Sequence, residues 1–315
     1  MADARLTDAQ VRAHRVATIA GALDTGFQDT PPGTTGARAA RLRGIDPAGL
    51  ALVHSIRGAM HLHRPASLAA LAAALRPEDG ADLRRQQFGP FFAELPVSIG
   101  AALDEVAGAM AGVLADGARR SKGELSTALQ SVVDPRLRPW CPGCAAHHVH
   151  DALFRLASLP AGLRLLPNGD GSADFVAASL GSAAPSPEAA RRELVRCFLR
   201  NAGPTNRDGL AAWLALSPAA ARRWWALAEV VPVDVAGRKL FMHPDDLAAA
   251  LAAPPAGGTF LLPPYDPVLE LADRQLLVPD PAHRKQTWRA TANPGVVRQA
   301  RPAAGAGRGD RRGGR

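Results

Sequence analysis

Ser186-Pro187-Glu188, Thr205-Asn206-Arg207-Asp208 and Ser217-Pro218 each set a short polar side chain ahead of an apolar-periodic run, which is how a helix N-terminus is capped. The first run reaches about Arg200, spaces Ala189, Leu194, Cys197 and Phe198 for one buried stripe, and stops at Gly203-Pro204. The second turns Leu210, Trp213 and Leu214 inward. The third covers Ala219 to about Glu229 and gives way to the β-rich Val230-Val231-Pro232-Val233-Asp234-Val235, after which Ala236-Gly237 turns into Lys239-Leu240-Phe241-Met242. Three helices followed by an antiparallel hairpin is the order of a winged helix.

Weaker copies of this order precede it. Ser121-Lys122-Gly123-Glu124 is a capping box opening Leu125 to about Val132, behind a helix from Ile99 to Ala115. His148 to Leu159 reads as helix, and Leu163-Arg164-Leu165-Leu166 with Asp174-Phe175-Val176 reads as a hairpin turned by Asn168-Gly169-Asp170-Gly171. At the front, Leu6-Thr7-Asp8 opens a helix to about Leu23, Thr35 to Arg43 forms a second, and Leu52 to Ile56 and Met60 to His63 are short strands around Gly58. Beyond Pro255 the chain turns to strand and turn material, and from Arg298 onward it holds only Arg, Gly, Ala, Pro, Gln and Asp, a composition that stays disordered. The expectation is an α+β protein, mainly helical: winged-helix modules over 1–78, 79–184 and 185–254, a partial C-terminal β-barrel over 255–297, and a tail over 298–315.

The 315 residues fit two or more domains, and 47% hydrophobic with 21% charged residues describes a globular chain. Its longest Ala/Leu run, Leu68 to Leu75, is too short to span a membrane, and Met1 to Arg5 lacks the charge and apolar order of a signal peptide. Three Cys fit a reducing cytoplasm. The net charge is +8, but Arg298 to Arg315 contributes +5 of it, leaving +3 for the rest. Charge therefore permits nucleic acid without deciding for it. Walker, G-x-G-x-x-G, H-E-x-x-H and G-x-S-x-G patterns are missing, so nucleotide-dependent, zinc-protease and serine-hydrolase chemistry lose their usual support, and no cofactor is expected.

Arg57-Gly58-Ala59-Met60-His61-Leu62, Pro204-Thr205 leading into Ala211-Ala212-Trp213-Leu214, and above all Leu261-Leu262-Pro263-Pro264-Tyr265-Asp266-Pro267 with Leu277-Val278-Pro279-Asp280-Pro281-Ala282-His283-Arg284-Lys285 resemble the winged-helix DNA-binding family that includes the AlkZ and YcaQ DNA glycosylases. The resemblance runs to about Val297. It implies three tandem winged helices and a small β-barrel clasping duplex DNA, and an activity that excises alkylated bases. At Val296-Val297 the chain enters its Arg/Gly tail where the family continues into a hairpin, so a truncated or frame-shifted end and an incomplete barrel are expected. The family's glycosylases carry Gln-x-Gln or Gln-x-Asp in the first module. Gly26-Phe27-Gln28-Asp29-Thr30 occupies that place: Gln28 matches the first position, Thr30 departs from the third, and the acid stands one residue early. Gln28 and Asp29 are therefore the candidate catalytic pair, orienting water and supplying an anion, against a plainer reading as helix-end capping before Pro31-Pro32.

Candidate DNA contacts are Arg57, His61, His63 and Arg64 beside the cleft, Lys122, and Arg222 and Arg223 on the third module's recognition helix. Each has an alternative as a structural or solvated residue, while Trp224 and Trp225 read as core. Cys141-Pro142-Gly143-Cys144 with His147, His148 and His150 is compressed relative to known zinc spacings, so it reads as structural or incidental and no metal is expected. The partner expected is double-stranded DNA, bound by a monomer without membrane or nucleotide cofactor. Three functions stay open: a base-excising glycosylase, a non-catalytic DNA-binding or regulatory module, and a protein-interaction scaffold.

Overall fold

Six strands drawn from two distant parts of the chain make one sheet, in the order Phe27–Gln28, Met60–His63, Ala51–His54, Leu163–Pro167, Ala173–Ala177, Arg120–Ser121. The structure, a computed structural model, describes residues 4–30, 32–180, 184–254, 258–289 and 294–300. The two halves of the sheet meet at Leu52 opposite Leu165. Helices Ile99–Val113, Lys122–Leu129 and Asp151–Ser158 contribute Leu103, Val106, Met110, Leu125, Leu129 and Phe154 to a core shared with Phe27, Leu52, Leu62 and Phe175. Sheet and core thus both run across the boundary expected at 78/79. The capping box of the sequence forms: Ser121 Oγ accepts from Glu124 N, and Glu124 accepts from Ser121 N.

The region that organises the sequence folds in the order its caps dictate. Helices Pro187–Ala202, Arg207–Leu214 and Pro218–Trp225 lead into the hairpin Val231–Val235 and Arg238–Met242. Ser186, Asn206 and Ser217 side chains accept from Ala189, Gly209 and Ala220 N–H groups, removing donors that the first turns would otherwise leave unpaired. Phe198 stacks on Trp213 with centroids 4.8 Å apart, and Trp224 is buried with Arg191 over its face, whereas Trp225 is only half-buried. The N-terminal strand Ala4–Leu6 joins this hairpin in parallel, Ala4 opposite Val233 and Leu6 opposite Val235.

At the other end, Gly258–Leu262 pairs antiparallel with Val296–Ala300, Leu262 opposite Val296 and Gly258 opposite Ala300. Arg298, Gln299 and Ala300, expected at the start of the disordered tail, are therefore in a strand. The rest of the expected tail, residues 301–315, lies outside the described residues. Helices and mostly antiparallel strands alternate along the chain in a mixed arrangement consistent with an α+β fold. No helix among the described residues is long and apolar enough to cross a membrane.

Three arginine–acid pairs fasten the segment 266–273 to the N-terminal region. Arg43 Nη2 lies 2.9 Å from Asp266 Oδ2, Arg57 Nη2 3.0 Å from Glu270 Oε2, and Arg15 makes a two-pronged contact with Asp273 at 3.0 and 2.8 Å. Arg15 is only 1% exposed and also donates to the carbonyls of Gly203 and Pro204, so its buried charge is paired and its donors are used.

Candidate active site

Strand pairing puts Gln28 directly opposite His61, so both side chains project from the same face of the sheet edge. That face opens on a narrow pocket which Trp213, Tyr265 and Glu270 complete, bringing together the first segment, the third helical region and the C-terminal segment. Its free volume is about 30 Å³, room for one or two water molecules. Arg57 is the hub. Its Nη1 donates to the Trp213 carbonyl at 2.7 Å, and its Nη2 donates both to Gln28 Oε1 at 3.2 Å and to Glu270 Oε2 at 3.0 Å. With Oε1 held this way, the Gln28 amide N–H₂ is the group left to face the pocket.

Two residues of this pocket hold left-handed backbone: Arg57 at φ 58° and Tyr265 at φ 59°. For residues with a Cβ such conformations cost on the order of 1–3 kcal/mol each and persist where surrounding contacts enforce them, as the three acceptors around Arg57 do. Gly26, at φ 81°, is a glycine of necessity, because a Cβ there would lie 2.5 Å from His63 Cε1.

The histidines next to Gln28 are buried rather than facing outward as a cationic patch. His61 is 4% and His63 0% exposed. His61 Nδ1 lies 3.1 Å from the Ala59 carbonyl, and His63 Nε2 lies 2.9 Å from Ser55 Oγ. Burial, with His63 and Arg57 adding to it, pulls His61 well below its ordinary range, and burial alone takes His63 down to about 4. A third buried histidine, His54, meets Ser158 Oγ at 3.0 Å and is pulled down to about 3 by burial and then by Arg155 and Lys122. These rings are neutral near pH 7, so His61 and His63 do not form the exposed cationic patch expected of them, and His61 instead lines the pocket beside Gln28. Arg57, occupied inside the pocket, is likewise not a surface clasp.

Asp29 points the other way. It continues the strand, its N–H donating to the Met60 carbonyl, so it emerges opposite to Gln28. It is fully buried, with Oδ2 accepting from Gly33 N at 2.8 Å and Oδ1 from Thr34 N at 3.1 Å, Gly36 N at 2.9 Å and Thr35 Oγ1 at 3.2 Å. These donors belong to the start of helix Thr35–Leu42, so the carboxylate is a cap, and the expectation that it supplies the anion beside Gln28 is corrected. The carboxylate in the pocket is Glu270. Nothing in the sequence marked it, although it follows closely on the Pro263-Pro264-Tyr265-Asp266-Pro267 block. Within that block Asp266 is buried, its carboxyl pushed up to about 6 by desolvation while Arg43 pulls against the rise.

The remaining candidates lie elsewhere. Arg64 is half exposed and pairs with Asp24 at 3.3 Å. Arg222 and Arg223 both project from helix Pro218–Trp225 into solvent, Arg223 reaching Asp82. Lys122 pairs with Asp151 at 2.5 Å and borders a separate pocket with Cys144 and His148. There the structure departs from the compressed spacing: the Cys141 and Cys144 sulfurs and one His148 ring nitrogen come within 4.8 Å of one another. His147, bonded to the Arg138 carbonyl, and His150, which caps helix Asp151–Ser158 and stacks on Phe91 at 4.2 Å, do not join them.

The family described as DNA glycosylase AlkZ-like matches residues 32–305, a stretch that includes Arg57, His61 and Glu270 and begins just after Gln28. Among solved structures, the Streptomyces sahachiroi DNA glycosylase AlkZ is similar at 22% identity with a TM-score of 0.68, over 94% of this chain and 86% of that one, which shows a shared fold. A search of curated proteins finds no match.

Proposed function

The chain belongs to the AlkZ-like DNA glycosylase family, and from that premise we propose that it hydrolyses the N-glycosidic bond of alkylated bases in double-stranded DNA, holding the duplex on tandem winged-helix modules. The observation that carries this reading is the Arg57 guanidinium joining the Gln28 amide and the Glu270 carboxylate around a pocket of water size. An N-alkylated purine carries positive charge and leaves readily, so the protein has mainly to place a water and stabilise an oxocarbenium-like sugar. In this arrangement the Gln28 amide N–H₂ orients the water. Glu270 accepts its proton as the new bond to the sugar carbon forms, and the carboxylate charge opposes the cation that develops there. Arg57 positions both groups. The pocket, about 30 Å³, is roughly tenfold smaller than the ~300 Å³ of a small ligand site, so it serves the water and the sugar face while the base stays outside it.

The test is incubation of the protein with a duplex containing one N7-alkylated purine, followed by detection of free base and abasic site. Gln28→Ala and Glu270→Gln should each lower single-turnover base release by at least about 10-fold, about 1.4 kcal/mol in the barrier, with duplex affinity unchanged. Tight binding without release by the unaltered protein would instead select a non-catalytic DNA-binding module.

A further inference from the structure

Trp140–Cys141 and Ala146–His147 form a two-residue-per-strand hairpin whose tip is Pro142-Gly143-Cys144-Ala145. So short a ribbon is marginal alone. Within it Cys144 N donates to the Cys141 carbonyl at 3.2 Å, and the two sulfurs and a His148 ring nitrogen lie within 4.8 Å of one another. His148 Nδ1 is committed to the Val149 carbonyl at 2.8 Å, which leaves Nε2 as the nitrogen with a free lone pair. That atom is buried and without a hydrogen-bond partner. A buried, orphaned imidazole nitrogen beside two thiols needs an explanation. A backbone carbonyl on the far ring nitrogen is also the outer contact that fixes the tautomer of a metal-ligating histidine.

We propose that Cys141, Cys144 and His148 hold a zinc ion through two sulfurs and Nε2, with water in the fourth position, and that this site clamps the hairpin against the neighbouring helices. Ligands around tetrahedral zinc stand roughly 3.5–3.8 Å apart, so atoms already within 4.8 Å of one another need a closure of about 1 Å, within the reach of side-chain rotation on exposed and half-exposed residues. The donor set of two thiolates and one imidazole suits zinc over hard cations. Binding removes one proton from each thiol and releases both to solvent, and the two thiolates neutralise the dication. No fourth protein donor joins the group among the described residues, and the adjoining pocket of about 400 Å³ beside Lys122 and Gln130 gives water access to the open position. Cys197, buried in helix Pro187–Ala202, takes no part.

The test uses the full chain purified without added metal. Metal analysis should find one equivalent of zinc per chain. Replacement by cobalt(II) should produce a thiolate-to-cobalt charge-transfer band of two-thiolate intensity, halved in Cys141→Ser, unchanged in Cys197→Ser, and accompanied by tetrahedral ligand-field bands that change in His148→Ala. Chelator should lower the melting temperature of the unaltered protein and leave that of His148→Ala unmoved. Protein free of zinc that gives no such band with cobalt, or a Cys141–Cys144 disulfide in freshly prepared reduced-cytosol material, would overturn the assignment. Because cobalt reports on the unaltered chain, failure of a variant to fold does not protect the proposal.

Discussion

Acidification from pH 7 to pH 5 should strip the six-stranded sheet of much of its stability, and the buried histidines set the size of the effect. An unfolded histidine titrates near 6.5, whereas His63 is held at about 4 and His54 at about 3. The folded values lie below the unfolded one, so the stability these rings contribute is complete above about pH 6.5 and is lost as pH falls toward 4 and 3. At pH 5 the unfolded chain has taken up nearly one proton per ring that the folded chain refuses. At 1.36 kcal/mol per unit this is about 2 kcal/mol each, about 4 kcal/mol together, and His61, lowered in the same direction, adds to it. Asp266 works the opposite way. Its folded value of about 6 exceeds the unfolded ~3.9, so its protonation below pH 6 returns roughly 1 kcal/mol by pH 5. A net loss of about 3 kcal/mol or more is large against the 5–15 kcal/mol typical of folded domains. Urea denaturation at intervals between pH 7.5 and 5 measures it, with His54→Asn and His63→Asn as comparisons. Each variant removes one titrating ring, so each should flatten the pH dependence by about 2 kcal/mol over that range whatever its stability at pH 7. Variants whose stability falls with pH as steeply as that of the unaltered protein would refute the reasoning.

Asp29→Ala leaves the N–H groups of Gly33, Thr34 and Gly36 without their acceptor and should cost about 2–3 kcal/mol in urea melts. A variant equally stable but unable to release base would restore Asp29 to the reaction. Arg222→Ala removes an exposed guanidinium and should weaken duplex binding across all sequences, reducing the slope of log K against log salt by about 1 in a fluorescence anisotropy titration; an unchanged slope would take helix Pro218–Trp225 off the DNA. A chain ended after Ala300 should keep salt-dependent duplex affinity, whereas a flat salt response would assign the binding to the Arg-rich residues beyond it.

What the sequence revealed was what is decided within a few residues. The three helices and hairpin of 187–242 rest on Ser186, Asn206 and Ser217 capping their own next turn, contacts that a local pattern contains in full. The fusion of two strand sets into one sheet rests on Leu52 meeting Leu165, and neither neighbourhood carries a trace of the other. The same distinction separates the residues of the site. Gln28 was found through its match to the first position of the family's Gln-x-Gln or Gln-x-Asp motif, whereas only the observed strand Phe27–Gln28 shows that Asp29, the very next residue, faces away. Glu270 was hidden because it enters the pocket only through a fold that returns the C-terminal segment to Arg57. The Cys141, Cys144 and His148 cluster was discounted by counting residues along the chain, whereas the hairpin doubles back and makes chain distance a poor measure of spatial distance.

The placement of Glu270 also explains why so much buried charge surrounds the pocket. Asp266 and Asp273 flank it at either end of one short segment, each held by an arginine from the N-terminal region, Arg43 and Arg15, whose side chains are nearly or fully buried. Buried ion pairs of this kind contribute little net stability, because desolvation consumes most of the attraction, but breaking one leaves an uncompensated charge and is costly. They therefore act as position-fixing contacts more than as sources of stability. Between two such anchors Glu270 has little freedom to follow solvent, and Arg57, strained at φ 58° and held by the Trp213 carbonyl, has little freedom to leave it. In the proposed reaction, a carboxylate and an amide kept at fixed separation before substrate arrives would need no reorganisation when charge develops on the sugar, which is the condition under which electrostatic stabilisation of a cationic transition state is largest. The strain at Arg57 and Tyr265 is then the cost of holding that geometry in advance.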